Sequence, residues 1–79
     1  MSNLAITRIT SNQSICNGKP IIRGMRITVR TILEYLAAGE SHENILEAYP
    51  FLEEADILAC LTFAAQMVER EITTYKLAG

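Results

Sequence analysis

A long amphipathic run near the carboxyl end, from about Glu53 to about Tyr75, most constrains the fold of this chain. Its polar residues recur at spacings of four, three, four and three, typical of one narrow side of a helix: Thr62, Gln66, Glu69, Thr73 and Lys76. The opposite side is apolar: Ile57, Leu61, Ala64, Val68, Ile72 and Tyr75. A further apolar row lies beside it: Cys60, Phe63 and Met67.

The apolar arc of this predicted helix is wider than one small core requires. At about 100° per residue it spans roughly 220°, whereas a helix that packs on a single core needs little more than about 100°. We therefore expect part of the arc to bind a second copy of the chain or another protein. We predict the interface residues Cys60, Phe63, Met67 and Tyr75. The alternative is that the N-terminal strands cover the excess.

Two shorter helices precede this run. Thr28 is a suitable N-cap for the first, whose apolar residues recur at helical spacing until Gly39 ends it in the C′ position. Ser41 caps the second helix, which Pro50 closes. Acidic residues then open the third helix, where they suit the positive end of the helix dipole: Glu53, Glu54 and Asp56.

The N-terminal third has the pattern of short strands. Residues 4–9 alternate partly between apolar and polar, and Ile21 and Ile22 are β-branched. Arg23-Gly24 predicts a bend, after which residues 26–28 return as an extended piece. The predicted fold is mostly α, with a short N-terminal β-strand or hairpin (residues 1–27) followed by a three-helix, helix-turn-helix-like unit (residues 28–79). At 79 residues the chain is expected to form a single domain.

Composition excludes several function classes. No apolar run is long enough to span a membrane, and residues 1–4 do not start a secretion signal, so a cytoplasmic location is expected. Cys16 and Cys60 have neither disulfide-framework nor zinc spacing, and His42 is the only histidine. We therefore predict no metal, no cofactor, no small-molecule substrate and no enzymatic activity.

The charges are unevenly distributed along the chain. The net charge is −2, but residues 1–30 carry five basic residues and no acid, whereas residues 31–79 carry nine acids against Arg70 and Lys76. Four basic side chains within twelve residues could contact nucleic acid or an acidic partner: Lys19, Arg23, Arg26 and Arg30. Alternatively, Arg23 and Arg26 could pair with the acidic helices of the same fold. The acids at the start of the third helix would repel DNA phosphates, which disfavours that helix as a DNA reader.

Four segments resemble a known family. They are Cys16-Asn-Gly-Lys-Pro-Ile-Ile-Arg-Gly-Met-Arg-Ile27, Leu33-Glu-Tyr-Leu-Ala-Ala-Gly39, Asn44-Ile-Leu-Glu-Ala-Tyr-Pro50 and Leu52-Glu-Glu-Ala-Asp-Ile57. Their order and spacing are similar to those of domain of unknown function 433, from about Ile6 to about Met67. Many members have Thr where this chain has Met25 and Glu53.

The resemblance implies a function that composition does not. The family is bacterial and archaeal, is similar to homeodomain-like helix-turn-helix proteins, and is regarded as antitoxin-like, with members often encoded beside a PIN-type nuclease toxin. We therefore expect a homodimeric antitoxin that binds and neutralises such a nuclease through apolar helix surface, with residues 69–79 reaching the partner. The alternative is a transcriptional regulator that binds operator DNA through residues 19–30.

Overall fold

The computed structural model describes residues 7–75, with side chains for residues 7–70. Its elements are β1 (Ile9–Thr10), a 3-10 turn (Cys16–Gly18), β2 (Ile21–Ile22), α1 (Val29–Ala37), α2 (His42–Ala48) and α3 (Glu54–Tyr75). The prediction of a mostly α fold, with a short N-terminal hairpin before three helices, is confirmed. Among residues 7–75, no helix is long and apolar enough to cross a membrane.

The hairpin is small and sharply bent. β1 and β2 pair antiparallel, with Ile9 opposite Ile22 and Thr10 opposite Ile21. Arg23 and Gly24 follow with φ angles of 46° and 73°, and the Met25 amide donates a 2.8 Å hydrogen bond to the Ile22 carbonyl. Positive φ at both central residues is typical of the tight turns that match strand twist. The predicted bend is confirmed.

The first strand differs from its prediction over residues 4–9. Ile9 belongs to β1, but Thr7 and Arg8 lie outside it, and residues 4–6 fall outside the described part of the chain. The partial alternation of apolar and polar residues was therefore a poor guide to this strand. The predicted return piece is confirmed at its end, where Thr28 forms an antiparallel bridge with Ile21.

The helix boundaries follow from their caps. The Thr28 hydroxyl accepts the Thr31 amide proton at 3.1 Å, and the Ser41 hydroxyl accepts that of Asn44 at 3.0 Å. At the end of α1, Gly39 has a φ of 93°, and the amides of Gly39 and Glu40 donate to the carbonyls of Leu36 and Tyr35. This pair of bonds is the Schellman arrangement, which explains why a glycine ends α1.

One apolar cluster holds the hairpin and the helices together. It combines hairpin residues with residues from each helix: Ile22, Ile27, Val29, Ile32, Ile45, Leu52, Ile57 and Cys60. Within residues 54–70 of α3, Cys60 is the last fully buried residue, although the helix continues for four further turns. The second half of α3 therefore projects past the core, and this projection forms the candidate site.

Candidate functional site

An apolar groove of about 430 Å³ lies between the second half of α3 and the start of α1. Its α3 wall consists of Phe63, Ala64, Met67 and Val68, and its α1 wall includes Val29 and Leu33. Phe63 also packs against the core, whereas Met67 and Val68 remain 38% and 54% exposed. A concave apolar surface of this size is typical of binding sites. It forms because the apolar arc of α3 extends beyond the core.

Two basic residues border the groove. Lys19 and Pro20 form one edge, and Arg30, on the first turn of α1, forms another. Lys19 is exposed, and Arg30 donates from Nε to Glu34 at 3.0 Å in a surface ion pair. Such a pair contributes little energy and can be exchanged for another acid. The groove can therefore accept an apolar segment that carries negative charge.

The structure brings together two residue sets that the sequence treats separately. Lys19 and Arg30 from the predicted basic set border the same groove as Phe63 and Met67 from the predicted interface set. The contact depends on the turn after β2, which returns the chain to Thr28 beside Pro20. The Val29 amide donates to the Pro20 carbonyl at 3.0 Å and holds this corner closed.

Arg23 takes part in an internal ion-pair cluster. Its Nε and Nη2 atoms donate to Oδ1 and Oδ2 of Asp56 at 3.0 and 2.8 Å, and Nη2 also donates to the Phe51 carbonyl at 3.0 Å. Arg8 donates from Nη1 to Asp56 at 2.8 Å and to Glu53 at 2.9 Å. The Asp56 side chain is fully buried. Arg23 therefore pairs with an acidic residue of the same fold, which was the alternative to contact with a partner.

Asp56 also stabilises the first turn of α3. Its Oδ2 accepts the Glu53 amide proton at 2.8 Å, which is the reciprocal half of a capping box. Burial raises the pKa of Asp56, but hydrogen bonds from Arg23, the Glu53 amide and Arg8 outweigh burial and hold that pKa below its ordinary value of 3.8. The acids at the start of α3 thus serve the fold as well as the helix dipole.

Arg26 is the remaining basic candidate. It is exposed, and within residues 7–70 it forms no ion pair. Lys19 is likewise exposed and without an acidic partner in that part of the chain. These two side chains keep their charge available for a partner, in contrast to Arg23.

The prediction for Cys60 as an interface residue is wrong. Its side chain is fully buried in the core beside Ile57, because it lies on the side of α3 that α1 and α2 cover. Phe63 and Met67 line the groove, as described above. The Tyr75 side chain lies outside the described residues.

Sequence reasoning missed two features. His42 Nδ1 lies 2.6 Å from Glu54 Oε2 and links the starts of α2 and α3. Tyr35 and Tyr49 share a 3.2 Å hydroxyl hydrogen bond, and Tyr49 also packs edge-on against Phe51 with ring centroids 5.9 Å apart. The spacing of these residues in the chain gave no signal of either contact. Among the described residues no cluster of His, Cys, Asp and Glu could hold a metal ion.

Comparison with known proteins identifies the family to which this chain belongs. The family model for protein of unknown function DUF433 matches residues 9–64. The chain belongs to the DUF433 family. The match includes the hairpin, α1, α2 and Asp56 with its partner Arg23, but not Arg8, and it ends at Ala64, within the groove wall.

Two relatives resemble the chain over most of its length. The uncharacterized protein y4eO of Sinorhizobium fredii (strain NBRC 101917 / NGR234) is 36% identical over 66 residues, which cover 81% of this chain and 30% of y4eO. This DUF433 chain thus spans less than a third of that relative. A crystal structure of a DUF433 member from Anabaena variabilis ATCC 29413 superimposes with a TM-score of 0.73 at 28% identity, over 90% of this chain and 73% of the other.

Proposed function

We propose that this DUF433 chain is a non-catalytic, antitoxin-like binding module that neutralises a PIN-type nuclease partner in the cytoplasm. The antitoxin role and the nuclease partner come from the family resemblance of residues 16–57. The observation that supports a binding role is the apolar groove with Lys19 and Arg30 at its edges. A surface of this kind gains free energy when apolar area is removed from water.

The groove suits an apolar segment flanked by acids. An amphipathic helix of the partner could place its apolar side between Leu33 and Met67, with acids near Lys19 and Arg30. Opposite charge at the edge would speed association and favour this partner over a basic one. The partner's activity would then be blocked by occupation of the surface that carries this helix.

Co-expression with the product of the neighbouring gene tests the proposal. We expect affinity capture to retain the wild-type complex and expression of this chain to relieve the growth defect that the nuclease causes. Met67→Glu, which puts a charge into the groove, should lose both effects. Ala37→Glu is the matched control, because Ala37 is exposed on α1 and does not line the groove. Absence of a wild-type complex together with absence of growth relief would contradict the proposal.

A second candidate is an operator-binding regulator. The observation that favours it is the exposure of Lys19 and Arg26, whose charges no acid within residues 7–70 neutralises. DNA contact would come from residues 19–30, most of which precede the helix-turn-helix-like unit. The start of α3 is a poor reader, since Glu53 and Glu54 are exposed there. A homodimer would double the basic charge offered to the duplex.

A further inference from the structure

A second cavity, of about 230 Å³, lies between the end of α1 and α2. One aromatic, one acidic, one amide and two aliphatic side chains line it: Tyr35, Glu40, Asn44, Ile45 and Ala48. None of these residues lines the apolar groove between α1 and α3. The cavity, named here the Tyr35 cavity, is therefore a separate candidate site.

Tyr35 gives this cavity an accessible aromatic wall. The residue is 37% exposed and also borders a cavity of about 300 Å³ beside Glu34. Its hydroxyl shares a 3.2 Å hydrogen bond with that of Tyr49, and the two rings pack edge-on with centroids 5.9 Å apart. These contacts hold the Tyr35 ring in place before a ligand arrives, which reduces the entropy lost on binding. The face of such a ring attracts a cation that lies within about 6 Å of its centre.

Glu40 and Asn44 offer acceptor atoms to a ligand. Asn44 donates from Nδ2 to Oε1 of Glu40 at 3.0 Å. This bond leaves Oε2 of Glu40 and Oδ1 of Asn44 for a ligand, and both atoms are acceptors. A ligand group that carries N–H donors therefore fits the cavity.

The charge of Glu40 is not neutralised by an ion pair in the described part of the chain. Its hydrogen-bond partner Asn44 is neutral. No lysine or arginine occurs in residues 31–69, and His42 is bound to an acid at the start of α3. A further exposed acid, Glu47, lies about one helical turn after Asn44. The Tyr35 cavity is therefore complementary to a positively charged group.

We infer that the Tyr35 cavity binds the guanidinium group of an arginine side chain of a partner protein. The planar guanidinium stacks on the ring of Tyr35 and donates to Glu40 and Asn44. The methylene groups of the arginine lie against Ile45 and Ala48. A lysine ammonium is a compact, strongly hydrated charge that does not stack, so arginine is favoured. This inference does not depend on the proposed nuclease partner.

The exposed aromatic surface beside the cavity favours a protein over a free amine. Phe51 is 51% exposed, and its ring packs edge-on against Tyr49 with centroids 5.9 Å apart. Tyr35, Tyr49 and Phe51 thus form a continuous row of rings that begins at the cavity. Apolar residues next to the arginine of a partner cover this row and add contact area that a small amine lacks.

An NMR titration with defined peptides tests the inference. Acetyl-Leu-Arg-Leu-amide, at about 0.15 M salt, should shift the ring signals of Tyr35 and the amide signals of Asn44 and Ile45, with a dissociation constant on the order of 1–10 mM. The matching citrulline peptide, which has nearly the same shape but no charge, should bind at least about tenfold more weakly, and the lysine peptide about threefold. Equal affinity for the arginine and citrulline peptides, or no shift at about 20 mM arginine peptide, would overturn the inference.

Two variants test the groups that hold the guanidinium. Tyr35→Leu removes the aromatic face and should weaken binding of the arginine peptide about fivefold. Glu40→Gln keeps an acceptor for Asn44 but removes the charge, and should weaken binding about fourfold. If Tyr35→Leu fails to fold, Glu40→Gln still gives the test.

Glu43→Gln is the matched control, because Glu43 is an exposed acid that does not line the cavity. It should bind the arginine peptide within about 1.5-fold of the wild type, since salt screens charges that lie apart from the site. Equal effects of Glu40→Gln and Glu43→Gln would reduce the binding to general attraction between charges and would overturn the site. Nuclease capture by Glu40→Gln reports on the proposed function alone.

The residues beside the arginine distinguish a protein from a free amine. Acetyl-Gly-Arg-Gly-amide presents the same guanidinium without apolar neighbours and should bind about threefold more weakly than the leucine peptide. Phe51→Ser should remove this difference by weakening only the leucine peptide. Equal affinity of the wild type for the two peptides would overturn the assignment to a partner protein and leave a free guanidinium compound as the ligand.

Discussion

Arg23 holds the carboxylate of Asp56 through two hydrogen bonds, 3.0 Å from Nε to Oδ1 and 2.8 Å from Nη2 to Oδ2. This bidentate contact joins the turn after β2 to the first turn of α3, across 33 residues of sequence. Arg23 makes this contact from a tight turn in which its φ is 46°, an uncommon conformation for a residue with a Cβ atom. Arg23, one of the four basic residues predicted to contact a partner, thus has a structural role.

Removal of the Asp56 carboxylate should destabilise the protein strongly. Asp56→Ala leaves the Arg23 and Arg8 guanidinium groups without their shared acid and removes the reciprocal cap of α3. We expect a loss of about 3 kcal/mol in the free energy of unfolding, near the lower end for a broken buried pair, because water can still reach both arginines. Urea denaturation followed by circular dichroism measures it.

Glu34→Gln is the matched control for the Asp56 variant. It breaks the ion pair between Arg30 and Glu34 within α1, in which both side chains are well exposed. We expect a change of no more than about 0.5 kcal/mol. Equal losses for Glu34→Gln and Asp56→Ala would contradict a special role for burial at Asp56.

Stability should fall in acid because of Asp56. Its pKa in the folded protein is below the ordinary 3.8, so the ion pairs contribute fully above that pH. As the pH falls through 3.8 and then through the lower folded value, the unfolded chain takes up a proton first and the contribution is lost. The free energy of unfolding should therefore decrease more steeply with falling pH for wild type than for Asp56→Asn. Parallel pH curves for the two proteins would show that another carboxylate is responsible.

Local sequence signals were sufficient to predict where the helices begin and end. Thr28 and Ser41 each begin a helix, and Gly39 ends one, through hydrogen bonds to residues three positions away. The residue type at these positions therefore predicts the helix boundary. The first strand was harder, since only Ile9 and Thr10 pair and their pairing depends on contact with Ile21 and Ile22. A strand of two residues is too short to be recognised from an alternation of apolar and polar residues.

The features that could not be predicted from the sequence depend on contacts between residues far apart in the chain. Acids near a helix start suit its dipole, and this local reason concealed that Asp56 is buried and bound by Arg8 and Arg23. The width of the apolar arc correctly indicated excess apolar surface on α3. It could not indicate that Cys60 faces the core while Leu58 faces solvent, because the direction from which α1 and α2 cover the helix is set by tertiary packing.

Cys60 should be unreactive in the folded protein. Burial, together with the nearby charge of Asp56, raises the pKa of its thiol to about 12, so very little of the reactive thiolate exists at pH 8. In a Cys16→Ser variant, which isolates Cys60, Ellman's reagent should react only at the rate at which the protein opens. Addition of urea above the unfolding midpoint should release one thiol immediately. Fast reaction without denaturant would contradict the buried position.

The operator-binding candidate predicts which basic residues determine salt dependence. Arg26 and Lys19 have no acid partner within residues 7–70, so each phosphate contact they make releases counterions, whereas Arg23 is already neutralised by Asp56. In fluorescence anisotropy with operator DNA, Arg26→Ala and Lys19→Ala should each reduce the slope of log affinity against log salt concentration by about one per copy. Arg30→Ala, which frees Glu34, is the comparison for a paired surface arginine. Equal slopes for wild type, Arg26→Ala and Lys19→Ala would exclude this segment as the DNA contact, and no binding even at low salt would exclude the candidate itself.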